Sequence, residues 1–162
     1  EYLEIIKGKT GYLIQTSCES GAILAGNRSA ERRASRQLGL NLGVAFQLVD
    51  DALDYTPAPD LGKPMGGDLR EGKITMPLIH FLQELEPEER ERFLARVKDK
   101  ALSEEELAGA MRCIRSKGLH TRAREEAEAY LRTAYHALES LPESREKSLL
   151  VRMLEYIRRR DH

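Results

Sequence analysis

Three aspartates, Asp50, Asp51 and Asp54, follow Gln47 at the end of a long apolar-patterned segment. On a helix, at about 100° per residue, these four side chains fall within an arc of roughly 100°. Leu42, Ala45, Phe46, Val49, Ala52 and Leu53 occupy the other side. One face therefore packs a core while the other presents three carboxylates and an amide. No basic residue stands three or four positions away to neutralise them, and like charges this close repel unless a cation sits among them. A hard divalent cation suits such a group, because Mg²⁺ favours one or two carboxylates together with waters and phosphate oxygens. Read alone, the same pattern also describes a solvated acidic helix face.

The residues that follow add positive charge and close backbone approach. Gly62-Lys63-Pro64-Met65-Gly66-Gly67 and then Asp68-Leu69-Arg70-Glu71-Gly72-Lys73-Ile74-Thr75-Met76-Pro77 supply two lysines among glycines that let an anion near the main chain. No P-loop is present. Lys9-Thr10, far upstream, reads by itself as a surface pair. His80, His120, His136 and His162 share no ligand spacing with Cys18 or Cys113, which excludes a zinc site of ordinary spacing.

The elements that must position these groups are helical throughout. Helical spacing covers residues 1–27 and 30–55, an irregular loop 55–67 is expected to order on binding an anion, and helix resumes near Asp68 as N-cap. That helix runs to about Leu85 with a kink at Pro77. Pro87 opens the next helix, and Ser103 with Glu106 forms a capping box for one ending near Gly118. Helices over 119–140 and 143–160 close the chain, split by Pro142. Gly39 and Gly43, and Ser17, Gly21 and Ala25, recur at four-residue intervals and predict close helix crossings. Arg32, Arg33 and Arg36 read as a solvated face, and Arg158-Arg159-Arg160 suits a helix C-terminus.

Composition narrows the function classes. The chain has 162 residues, 41% hydrophobic and 33% charged, with 26 basic and 27 acidic side chains for a net charge of −1. No bulk field draws it to nucleic acid or anionic lipid, so phosphate must be held by a local cluster. Absent Trp and 6% aromatics disfavour base stacking, no segment is apolar enough to span a membrane, and two cysteines fit a reducing cytoplasmic setting.

Taken together, Lys9-Thr10, Phe46-Gln47-Leu48-Val49-Asp50-Asp51-Ala52-Leu53-Asp54, Gly62-Lys63-Pro64 and Asp68 to Pro77 resemble the trans-isoprenyl diphosphate synthases, or polyprenyl synthases. The likeness is to the C-terminal half of that family and covers residues 1–162. It implies an all-α helical bundle of the isoprenoid synthase type, C-terminal portion. It also implies condensation of an allylic diphosphate with isopentenyl diphosphate. Asp50 and Asp54 would ligate Mg²⁺ bridging to diphosphate, with Asp51 a further ligand or a partner of one. Lys9 and Lys63 would contact diphosphate oxygens, with Lys73 an additional phosphate contact. Thr10 and Gln47 would turn their oxygens toward the allylic cation, and Asp68 would cap rather than bind metal. The Asp-rich motif here resembles the family's second. The first, with its paired arginines, has no counterpart, so the chain is expected to be inactive alone. A homodimer in the cytoplasm is the family expectation. A non-catalytic helical subunit that partners a prenyltransferase is the alternative.

Overall fold

The computed structural model describes residues 1–56 and 65–160. Among them the elements are α1 (Tyr2–Ile6), a π-helical turn (Lys7–Gly11), α2 (Tyr12–Leu24), α3 (Ser29–Leu53), α4 (Gly67–Arg70), α5 (Met76–Gln83), α6 (Pro87–Lys98), α7 (Glu104–Ser116), α8 (Leu119–Glu139) and α9 (Arg145–Arg159). No strand occurs among the described residues, so the all-α expectation holds. None of the described helices is long and apolar enough to cross a membrane.

The chain divides into two compact units, the first formed by Glu1–Val49 with Glu125–Arg160 and the second by Asp50–Arg124. Within the first, the predicted crossing of α2 with α3 is real at one of the two small-residue repeats. A Cβ on Gly39 would lie 2.6 Å from the Gln15 Cα, and one on Gly43 would lie 2.8 Å from the Gly11 Cα. Only glycine admits backbones at that separation. The Ser17, Gly21 and Ala25 repeat is not used this way, since nothing lies within 4 Å of a Cβ built on Gly21.

The helix expected over residues 1–27 is interrupted at the π-helical turn, which one extra residue per turn creates. Gly11, its last residue, is buried against α3 at Leu40 and Val44. Over residues 42–53 of α3 the two-sided pattern gives way to burial nearly all round. Gln47 and Asp51 are buried, while Asp50 and Asp54 are half-buried rather than solvated.

The second unit corrects the single helix expected from Asp68 to Leu85. Gly72 adopts φ +76°, and a Cβ there would meet the Val97 carbonyl at 2.8 Å, so the chain turns between α4 and α5. Pro77 consequently sits in the first turn of α5 and kinks nothing, because the N–H it lacks would be unsatisfied there anyway. Asp68 is not the N-cap of α4; Gly66, at φ +74°, holds that position. The remaining starts follow the sequence. Pro87 opens α6, and Ser103 and Glu106 form the reciprocal capping box of α7. The core of this unit gathers Tyr55, Leu69, Leu78, Val97 and Ile114, with Phe81 and Phe93 edge-to-face at 5.3 Å between centroids.

Candidate active site

In the first unit the structure brings two of the expected residues together across 37 positions. Thr10, on the π-helical turn, donates from Oγ1 to Oε1 of Gln47 on α3 at 3.1 Å. The crossing at Gly39 and Gly43 makes this contact reachable: with α2 and α3 backbones so close, even short side chains meet. The bond spends the hydroxyl proton of Thr10 on the amide. A hydroxyl and an amide oxygen each carry two lone pairs, so the pair combines negative dipole ends with no acidic proton of its own. Lys9 is exposed on the same turn. One residue before Gln47, the Phe46 ring carries the guanidinium of Arg160, 5.4 Å from its centroid. The sequence reading grouped Arg160 with a basic helix end and did not foresee this stacking; nothing local links positions 46 and 160.

In the second unit, Asp54 is held by main-chain donors. Its Oδ1 accepts from the Gly67 N–H and its Oδ2 from the Asp68 N–H, each at 3.0 Å, at the start of α4. Burial pushes the Asp54 carboxyl above the ordinary range, and these amide bonds pull against it. Lys73 lies 2.6 Å from Glu71 and 3.0 Å from Asp68, and those two carboxylates, Glu71 first, raise its pKa above the usual lysine value. Tyr55, fully buried beside Asp54, has its phenol pushed upward by burial and stays neutral. Lys63 and the greater part of the expected 55–67 loop lie outside the described residues.

The donor chemistry here suits Mg²⁺. Asp50 and Asp51 are adjacent hard carboxylates, and Asp54 keeps a further lone pair on each oxygen after its amide bonds. Among the described residues no group of three His, Cys, Asp or Glu side chains is placed to hold a metal ion.

Residues 1–114 match the family model described as polyprenyl synthetase. The chain belongs to that family. It is 40% identical over 157 residues to the all-trans-nonaprenyl-diphosphate synthase (geranyl-diphosphate specific) of Rhodobacter capsulatus, covering 94% of this chain and 46% of the relative. Heptaprenyl diphosphate synthase component 2 of Bacillus subtilis is 32% identical over 160 residues, covering 98% of this chain and 45% of the relative. A Caulobacter crescentus polyprenyl synthase, solved in complex with calcium and isoprenyl diphosphate, superposes with a TM-score of 0.86. That pair is 36% identical over 99% of this chain and 49% of the other. The chain thus spans about half the length of the relatives it matches.

Proposed function

We propose that residues 1–162 are the C-terminal portion of a polyprenyl diphosphate synthase. The longer protein would condense an allylic diphosphate with isopentenyl diphosphate, and this portion would supply the second Asp-rich, Mg²⁺-dependent diphosphate site. The observation that carries the reading is coverage: the alignment with the Rhodobacter capsulatus relative takes in 94% of this chain and 46% of that protein.

On this reading Asp50, Asp51 and Asp54 hold Mg²⁺, and Lys9, Lys63 and Lys73 meet diphosphate oxygens. When bound, the ion would offset negative charge developing on the departing diphosphate. The bonds from the Gly67 and Asp68 amides orient the Asp54 carboxylate before any ligand arrives. Lys73, kept protonated by Glu71 and Asp68, exchanges one set of anionic oxygens for another and moves no proton. The Thr10 and Gln47 oxygens, locked to each other, face developing positive carbon without offering it a proton. Homodimerisation and a cytoplasmic location complete the proposal.

The portion alone is inactive on this account. Holding two diphosphates in reacting geometry contributes roughly 7–11 kcal/mol, and this chain has no counterpart of the first Asp-rich motif or its arginines. The test is incorporation of radiolabelled isopentenyl diphosphate with a short allylic primer and Mg²⁺. It compares residues 1–162 alone with the same residues in the longer protein. Product from the longer protein only supports the proposal. Robust product from residues 1–162 overturns inactivity, and no product from either favours the non-catalytic subunit.

A further inference from the structure

Helix α9 carries two apolar faces. Leu154 and Ile157 are buried, whereas Leu149, Met153 and Tyr156 are 52%, 45% and 64% exposed. The exposed three follow i, i+4, i+7 spacing and form one row. Arg145, Arg152 and Arg159 recur every seven residues along its edge, all exposed. At 100° per residue they run about 20–60° from the Tyr156 direction. Among the described residues none of these three arginines is in an ion pair. Glu146 and Glu155 are the acidic residues of the helix, against five basic ones, of which Lys147 pairs with Glu143 and Arg158 with Glu128. The chain as a whole has net charge −1, so this is a local basic field.

We propose that α9 docks in the plane of an anionic lipid surface. Leu149, Met153 and Tyr156 sit at the boundary between headgroups and acyl chains, and Arg145, Arg152 and Arg159 lie on lipid phosphates. An apolar row with arginines along its margin is the pattern of an interfacial helix. A tyrosine among the anchors fits that boundary, since one end of its ring is apolar and the other polar. The arginine row, about 21 Å long at 1.5 Å per residue, argues for lipid over a protein partner. A protein would need three carboxylates in matching register, whereas an anionic bilayer offers phosphates at any register. The exposed apolar face of α2, at Leu13 and Leu24, has no such basic margin and serves as an internal control. The proposal stands on α9 alone and does not depend on prenyl transfer.

The test is flotation of the 162-residue chain with phosphatidylcholine vesicles, with and without about one-third phosphatidylglycerol. Binding is expected to anionic vesicles only and to weaken with added salt. Arg145→Gln/Arg152→Gln/Arg159→Gln should weaken it on the order of a hundredfold, at about fivefold per arginine. Leu149→Ser/Met153→Ser/Tyr156→Ser should weaken it as well, and Leu13→Ser/Leu24→Ser should leave it intact. Circular dichroism confirms that each variant keeps its helix content; should the apolar variant unfold, the arginine variant still decides. Equal binding to neutral and anionic vesicles overturns the proposal, as does retention by the arginine variant. Loss on changing Leu13 and Leu24 alone also overturns it. So does self-association without vesicles that the arginine variant abolishes, which would make a second copy the occupant.

Discussion

Alanine at Gly39 and alanine at Gly21 should move the stability of this chain in opposite directions. At Gly39 the new Cβ would stand 2.6 Å from the Gln15 Cα, 2.7 Å from the Ile14 carbonyl oxygen and 2.9 Å from the Gln15 nitrogen. All three are backbone atoms of α2, so no side chain can swing away. Comfortable carbon contacts lie near 3.5–4.0 Å, and α2 would have to retreat by roughly 1 Å. Overpacking of this kind costs about 1–3 kcal/mol, against a helix-propensity gain of about 1 kcal/mol. With three backbone atoms inside 3.0 Å the upper part of that range applies, about 2–3 kcal/mol, so the net loss is about 1–2 kcal/mol and the fall in Tm roughly 2–8 °C for a chain of this size. At Gly21 nothing lies within 4 Å of the added methyl. The propensity gain then stands, and Tm should rise by roughly 2–4 °C. Thermal unfolding followed by far-ultraviolet circular dichroism measures both. A Gly39→Ala chain that melts at or above the parent would refute the close-crossing argument, and so would a Gly21→Ala chain that melts below it.

Calorimetry of inorganic diphosphate should show Mg²⁺-dependent binding that Asp50→Ala/Asp54→Ala weakens on the order of tenfold or more; equal binding would remove these carboxylates from the site. Ser103→Ala should cost about 0.5–2 kcal/mol by removing the cap of α7. The Ser103 main-chain N–H and hydroxyl hold the Glu106 carboxyl below its ordinary value of 4.5. Its contribution is therefore present above that value and lost as pH falls through the lowered one. Glu106→Gln keeps a capping acceptor without the titration, so its melting temperature should fall less than the parent's on acidification below pH 4.5. Lys100 is a non-glycine residue at φ +52° directly after the end of α6; Lys100→Gly should stabilise by about 0.5–1 kcal/mol, read as a higher urea midpoint.

Much of the local structure was legible in the chain because it is encoded within a turn or two. Pro87 before Glu88 and Glu89 marks the start of α6, and Ser103 with Glu106 marks the start of α7. The length of α3 follows from uninterrupted periodicity between Ser29 and Leu53. The reading of residues 68–85 went wrong where local signals compete. Asp68 is a good cap by type and Pro77 a good breaker, but Gly72 turns the chain at a place set by the Val97 carbonyl of another helix.

By itself the sequence determined the helical class, the order of the helices and the chemical types at hand: adjacent hard carboxylates, lysines among glycines, a threonine and an amide. These depend on side-chain identity and short-range spacing, which a linear chain carries openly. Tertiary structure decided what each group touches. It joined Thr10 to Gln47 across 37 positions, laid Arg160 on Phe46 and turned the Asp54 carboxylate toward two backbone amides. It also buried Asp51, on a helix face that spacing alone left open between a cation site and solvent. Burial and long-range pairing arise from which other elements pack around a residue, and helical periodicity holds no information about those neighbours.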